Sequence, residues 1–347
     1  MKKLILFIAI IFVACTSESP YIETSQNQNL QRFSQIQLGI MDTLVQFIGY
    51  SYSQEEFLNL LSPVQQELIR LNQLFTSFEE VPGVNNIYTI NEMAGIAPVE
   101  VDPLIIELIK IGIDAYHNTG GVINIALGSV LEIWHDARIS NNPQVPYLGD
   151  LIAASIHTDI NNIIIDEENS TVFLADENMS LDVGTVGKGF AIHLATEKAI
   201  NLGLYSFLID VGGDIITLNP PPGAQSWSSG IQDPSTPYDP TSYVDIIRLS
   251  NMSIFTSGNY QRYFIVDGIR YHHIIDPITL MPSNYYNSVT VIHENAILAE
   301  ILSTALFIVG LEEGLEMLET LGGHALWVLT NGSIFTSPGY SLFSDNF

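Results

Sequence analysis

Three short stretches carry residues whose types and spacing suit chemistry at a phosphate. The first, residues 181–191, reads L-D-V-G-T-V-G-K-G-F-A. Gly184, Gly187 and Gly189 let backbone N–H groups come close to a ligand. Lys188 adds a full positive charge, and a helix predicted just after the glycines adds the partial charge of its N-terminus. The spacing matches neither the G-x-x-x-x-G-K-[ST] phosphate loop nor the G-x-G-x-x-G dinucleotide fingerprint. The second stretch, His273-Ile274-Ile275-Asp276-Pro277, sets an imidazole three residues before a carboxylate. An unperturbed histidine titrates near neutrality, which suits taking a proton from an incoming hydroxyl or water. The third is Glu300 and Thr304, four apart in an apolar helical run, so both can meet one ligand. An unpaired carboxylate in such a run is costly, which calls for a cation beside Glu300.

Composition bounds this chemistry. The chain has 347 residues, 47% hydrophobic and 10% aromatic, enough for a sizeable core. Acidic residues number 38 against 11 Lys and Arg, a formal charge of −27. That excludes a basic nucleic-acid surface and adhesion to anionic lipid by charge alone. It also means that a phosphate ligand needs local counter-charge, for which a divalent metal is the expected source. The single cysteine, Cys15, rules out an internal disulfide. It follows a basic start, Lys2-Lys3, and an apolar run over residues 4–13, the pattern of an export signal too short to span as a transmembrane helix. Phe12-Val13-Ala14-Cys15 resembles a bacterial lipobox, which implies cleavage before Cys15 and its lipidation. The expected layout is a signal peptide over 1–14, a polar tether over 15–35 and one folded domain over 36–347, anchored to a membrane and facing the periplasm or cell exterior.

The elements that must position these groups follow from periodicity and turn signals. A strand is expected over residues 36–50. A helix over 53–77 is capped by a Ser53/Glu56 box and kinked or divided at Pro63. Residues 78–95 read as loop, 102–117 as helix, 123–134 as extended becoming helical, and 135–146 as loop. Strand signals between 152 and 182 lead into the glycine turn, and a helix over 190–203 follows. Strands are expected at 207–215, ending at Gly212-Gly213, and at 227–233, 243–249 and 289–292. Apolar helices cover 296–309 and 311–321, and a hairpin around Asn331-Gly332 closes the chain. Strands cluster without regular βαβ alternation, which argues for an α+β fold.

Taken in chain order, five motifs resemble the ApbE-type family of flavin transferases, the FAD:protein FMN transferases. They are D-V-G-T-V-G-K-G-F-A from Asp182, V-G-G-D at 211–214, T-S-G-N-Y at 256–260, H-I-I-D-P from His273, and the Glu300-x-x-x-Thr304 pair. The likeness runs over residues 41–337, and G-S-V-L-E-I-W at 128–134 fits one branch of the family. It implies a single α+β domain of mainly antiparallel sheets flanked by helices, related to the T-fold. It also implies Mg2+-dependent cleavage of the FAD pyrophosphate. FMN then passes through a phosphoester to a threonine or serine of a partner protein, and AMP leaves. Some members hydrolyse FAD to FMN and AMP instead, and an FAD-binding lipoprotein without turnover is a third reading.

Position by position, the resemblance implies metal ligation by Thr185, Glu300 and Thr304, with Glu300 where the family usually has aspartate. It puts Lys188 at a phosphate and Asp182 at a ribose or adenine donor. Met41, Phe78 and Val122-Ile123-Asn124 fall at flavin-nucleotide positions. Met41 also suits a strand core, Phe78 replaces a frequent tyrosine or is a core aromatic, and Asn124 replaces an acid. His273 is the acid/base candidate, and Asp276 either orients it or binds a second ion. Ile274 and Ser257 complete the ligand set, Ser257 as a phosphate donor or a turn hydroxyl. No [ST]-G-A-T acceptor segment occurs, so the acceptor is expected to be another protein, such as a redox-driven ion pump or an electron-transfer subunit.

Overall fold

The computed structural model describes residues 30–41 and 43–347. The signal peptide, Cys15 and most of the expected tether lie outside the described residues. In chain order the elements are β1 (Gln31–Ile40), β2 (Thr43–Ser51), α1 (Gln54–Phe75), α2 (Ile87–Glu92), β3 (Val99–Glu100), α3 (Pro103–Asn118), α4 (Gly128–Ile139), α5 (Leu148–Ser155), β4 (Ile163–Asp166), β5 (Thr171–Leu174) and α6 (Gly187–Asn201). There follow β6 (Phe207–Val211), β7 (Asp214–Leu218), β8 (Trp227–Gln232), β9 (Tyr243–Leu249), β10 (Ser253–Gly258), β11 (Tyr263–Val266), β12 (Ile269–His272), β13 (Tyr286–His293), α7 (Ala296–Ile308), α8 (Leu311–Leu321), β14 (His324–Leu329) and β15 (Ile334–Thr336).

Eight strands form one antiparallel sheet in the order β1-β2-β6-β7-β10-β13-β14-β15. Its central strands are apolar on both faces. Along β6, Phe207, Ile209 and Val211 join the main core, while Leu208 belongs to a second core. Strand β2 divides in the same way at Phe47 and Ile48, and β13 at Val291 and Ile292. One period-two pattern therefore feeds two cores, and these strands read as nearly continuous apolar runs. Helices α1, α3, α6 and α7 fill the main core with residues such as Phe57, Ile105, Phe190 and Leu302. Strands β8 and β9 and Tyr340 near the C-terminus close the second. The fold is α+β, as the strand clustering implies.

A third, smaller core matters most for position. Leu127, Val130 and Trp134 around α4 pack with Leu151 of α5 against Phe264, Ile275 and Leu280. Trp134 Nε1 donates to the Leu280 carbonyl at 3.0 Å, and Tyr271 stacks on both Trp134 and Phe264. This locks α4 onto the β11–β12 hairpin and the turn that follows it.

Several local expectations are corrected. The strand expected over 36–50 is a hairpin, and β1 begins inside the span expected to be tether, pairing Gln31 with Ser51. β1 is an edge strand exposed along most of its length, so its polar composition looks like that of a tether. Helix α1 runs undivided through Pro63. Ser53 caps it by accepting from Glu56 N at 3.1 Å, and the Glu56 carboxylate, besides the Ser53 amide, accepts from Ser51 Oγ at 2.6 Å and Tyr52 N at 2.9 Å. The expected loop over 78–95 contains α2, which carries its own Asn86/Thr89 capping box. Helix α4 continues to Ile139 through the start of an expected loop, which puts His135 and Arg138 on a helix. No strand leads directly into the glycine turn, since β5 ends at Leu174.

The C-terminal segment is held by Asp245, which is buried and accepts from Tyr340 Oη at 2.8 Å, Asn346 Nδ2 at 2.9 Å and Ile246 N at 2.7 Å. Tyr340→Phe leaves this carboxylate short of a donor and is expected to cost about 1–3 kcal/mol in urea unfolding. A variant as stable as the parent would show that the clasp does not hold that segment to the sheet.

Candidate active site

The glycine turn takes its shape from distant partners rather than from a strand. Asn91 of α2 pairs with the main chain of Leu181 in both directions, accepting from Leu181 N at 2.8 Å and donating to its carbonyl at 3.0 Å. Asp182 N donates to the Ile125 carbonyl at 2.8 Å. The Asp182 carboxylate then accepts from Gly184 N at 2.8 Å, which closes the loop before α6. Burial pushes the Asp182 carboxyl above its usual range, while the Gly184 amide, Arg262, His135 and Arg138 pull the other way. Helix α6 starts at Gly187, earlier than expected, and its N-cap has no side-chain bond.

Glu300 meets this turn from α7. It is 3% exposed, and Oε2 accepts from Gly189 N at 2.7 Å. Its other oxygen, Oε1, is buried with no hydrogen-bond partner. A Cβ at position 189 would lie 2.8 Å from the Ala296 carbonyl and 3.0 Å from Glu300 Oε2, so only glycine lets α6 approach α7 this closely. Lys188 turns to Asp214 and makes an ion pair with it. Asp214 is itself placed by a two-residue hairpin: Val211 pairs with Asp214, and Gly212 and Gly213 between them both have positive φ (65° and 97°). Its second oxygen accepts from Thr256 N at 2.9 Å. Burial opposes the charge on Lys188, but Asp214 and Glu300 outweigh it and hold the ammonium above its usual value. One ammonium thus faces two carboxylates. Burial pushes Glu300 up to about 8 despite Lys188 and the Gly189 amide.

Thr304, one turn beyond Glu300, lies 3.2 Å from Ser257 Oγ, which also meets Ser303 Oγ at 3.1 Å. Thr185 is half-buried in the turn before α6. Among the described residues no three His, Cys, Asp or Glu side chains converge as a metal centre. A cation beside Glu300 would therefore also draw on hydroxyl, main-chain and substrate oxygens. The orphaned Oε1 fits such a cation.

His273 lies just past β12, and its N–H donates to the Arg262 carbonyl at 3.2 Å. Its Nδ1 is buried without a partner. Burial first, then Arg262, His272 and Arg138, push the imidazole down to about 3, so His273 is neutral at physiological pH rather than poised near neutrality. Asp276 does not orient it. One Asp276 oxygen accepts from Ile278 N at 2.8 Å and the other from Thr279 Oγ1 at 2.9 Å, the self-capping expected of an Asp-Pro turn.

The other expected ligand residues divide. Met41 sits at φ 52° in the β1–β2 turn, its N–H donating to Asn72 Oδ1 at 3.0 Å and its side chain packed on the main core. Phe78 is exposed and stacks on His135 at 5.3 Å, so it is not a core aromatic. Val122 and Ile123 are core residues. Asn124 holds a loop, donating to the Thr158 carbonyl and accepting from Ala126 N. Ile274 is buried, and both its main-chain polar groups are engaged, with His272 Nδ1 and Ser283 N. The side chains of Val122, Ile123 and Ile274, and the Asn124 amide, are thus turned to packing rather than to a ligand.

The family model described as the ApbE family matches residues 41–327. This chain belongs to the ApbE family. It is 31% identical over 300 residues to a FAD:protein FMN transferase of Klebsiella pneumoniae, covering 83% of this chain and 92% of the relative. It is 32% identical over 265 residues to that of Treponema pallidum, covering 72% of each. The crystal structure of an ApbE protein from Thermotoga maritima superposes with a TM-score of 0.81 at 29% identity, over 90% of this chain and 99% of the other. The flavin transferase ApbE from Vibrio cholerae shares the fold, with a TM-score of 0.77 at 22% identity, over 90% and 99%. Within this ApbE fold, sequence reasoning gave no role to Asn91, His135, Arg138 or Arg262, nor to Asp214 although it stands in the V-G-G-D motif. Only Asp214 carried a local signal, as the residue closing the Gly-Gly hairpin.

The raised Glu300 pKa has a direct consequence. In the unfolded chain its ordinary value is 4.5, and in the folded protein about 8. Between these values the folded protein holds a proton that the unfolded chain has lost, so Glu300's contribution to stability falls as pH rises from about 5 to 8 and levels off above. Glu300→Gln is expected to remove that slope in metal-free protein. Urea unfolding of both proteins across pH 5 to 8.5 measures it, and parallel curves would contradict the assignment.

Proposed function

We propose that this protein transfers FMN from FAD to a threonine or serine hydroxyl of a partner protein, releasing AMP, in a reaction that requires Mg2+. The observation that carries the reading is the buried, half-satisfied Glu300 carboxylate against the Lys188-bearing helix start. Relatives named as FAD:protein FMN transferases support it.

The chain's own residues take definite parts. The Lys188 ammonium and the positive end of the α6 dipole face the pyrophosphate. Exposed Phe78, stacked on His135, offers a platform for a ring of the ligand. The acceptor oxygen forms its bond to the FMN phosphorus as the bond to the bridging oxygen breaks. AMP keeps that electron pair, and the hydroxyl proton passes to His273. His273 is neutral and so able to accept it, and the pyrophosphate's negative charge raises its proton affinity. Glu300 and Thr304, with oxygens of the turn at Thr185, would hold Mg2+, which when bound neutralises phosphate charge and eases departure of AMP.

The basic start, apolar run and Cys15 support export and lipid anchoring on the outer side of a bacterial membrane. The lack of an acceptor-type segment supports a separate acceptor protein.

Residues 16–347 mixed with FAD, Mg2+ and a threonine-bearing flavoprotein subunit should give an acceptor heavier by one FMN ester, with AMP released. AMP and free FMN regardless of acceptor would instead identify a hydrolase, and tightly held intact FAD a carrier. His273→Ala is expected to slow transfer by about 10²–10⁴-fold without loss of FAD binding. In cells, Cys15→Ser should move the protein from the membrane fraction to the soluble one, and an unchanged distribution would contradict the lipid anchor.

A further inference from the structure

We propose that β1 is a self-association edge, at which two copies of this chain pair antiparallel about a two-fold axis and join their eight-stranded sheets. The inference stands on the sheet alone and is independent of the flavin-transfer reading.

The two edges of that sheet differ. At one end β15 is three residues long and Pro338 stands two residues beyond it, an edge too short to template another strand. At the other end β1 is ten residues long, and among the described residues no strand lies on its outer side. It holds no proline and no acid, and Arg32 is its one charge. Edge strands are ordinarily kept single by shortness, charge, proline or a bulge. Here only a bulge at Gly39 interrupts the ladder, and it comes after Leu38.

One face of this edge is apolar and open. Ile36 and Leu38 are two apart on the strand and share a face, and Leu38 sits directly opposite Leu44 of β2. These three side chains are 52%, 75% and 43% exposed. Ile48, on the same face of β2, belongs to the second core, so the patch continues that core's surface to the sheet edge without a cover. The opposite face is held. Phe33 stacks on Phe57 of α1 at 5.8 Å, and Gln37 Oε1 accepts from Gln65 Nε2 at 3.0 Å.

Charge selects a second copy as the occupant. Two chains with 38 acidic and 11 basic residues each repel over most of their surface. Along this hairpin they do not, because Asp42 is the only acid between Glu23 and Glu55. Antiparallel pairing about a two-fold axis sets like face beside like face, so Ile36, Leu38 and Leu44 of both copies form one apolar strip. The contact is isologous and consumes the edge, so it closes at a dimer.

The test uses residues 16–347, which contain no cysteine. Sedimentation over a concentration series should give twice the mass of one chain. The paired variant Ile36→Glu/Leu38→Glu should give the mass of one chain with its far-UV circular dichroism unchanged, since both side chains are exposed. Among Ser34→Cys, Gln35→Cys, Ile36→Cys and Gln37→Cys, the variant nearest the axis should cross-link between copies on mild oxidation, while Gln66→Cys on α1 should not. A parent that sediments as one chain would overturn the proposal. So would a dimer that survives the paired substitution, or one that cross-links at none of the four positions. A monomeric parent that dimerises only when residues 16–29 are removed would give the edge to the chain's own N-terminal segment and overturn it too. So would a monomeric parent whose paired variant loses transfer to an acceptor while still releasing AMP, since the edge would then serve the acceptor.

Discussion

A carboxylate buried in an apolar helix has to find positive charge, and Glu300 finds too little. One backbone amide and a lysine shared with Asp214 are its counterparts, while its second oxygen has none. The surroundings are arranged around that deficit. Gly189 lets α6 come close enough for its amide to reach Glu300. The Gly212-Gly213 hairpin sets Asp214 where it can hold Lys188. Together they leave Glu300 holding a proton up to about pH 8 beside a helix N-terminus. On the proposed reading, a divalent cation sharing the space with a pyrophosphate would take that proton's place.

The scaffold makes this arrangement rigid. The main sheet is covered on both faces, so β6, β7 and β10, which carry Asp210, Asp214 and Thr256, are anchored by two cores at once. Helices α6 and α7 lie side by side in the main core, and Gly189 lets α6 come up against Ala296 and Glu300 of α7. The third core brings a separate wall, with α4 and the segment ending at His273, up to the same turn.

Much of this was legible because the motifs are local. Gly189 and the Gly212-Gly213 hairpin are places where a close approach or a positive φ demands glycine, and Glu300 and Thr304 are one helical turn apart. The α+β class followed from the absence of βαβ alternation. Partners far apart in sequence were not legible. Asn91 serves Leu181 from 90 residues away, and Arg138 reaches the site because α4 continues where polar residues suggested a loop. β1 was hidden because an exposed edge strand has the composition of a tether. Asp276 does not orient His273, because Ile278 N and Thr279 Oγ1 recruit its two oxygens into a turn. The lowered proton affinity of His273 comes first from burial, which no local pattern reveals.

The account stands on a cation at Glu300, and a crystal soaked in Mn2+ tests that most directly. An anomalous difference peak about 2.1 Å from Glu300 Oε1, with Thr304 or an oxygen of the turn at Thr185 as a second ligand, is the result expected. No peak there at saturating Mn2+ with FAD bound, and Oε1 still without a partner, would contradict it.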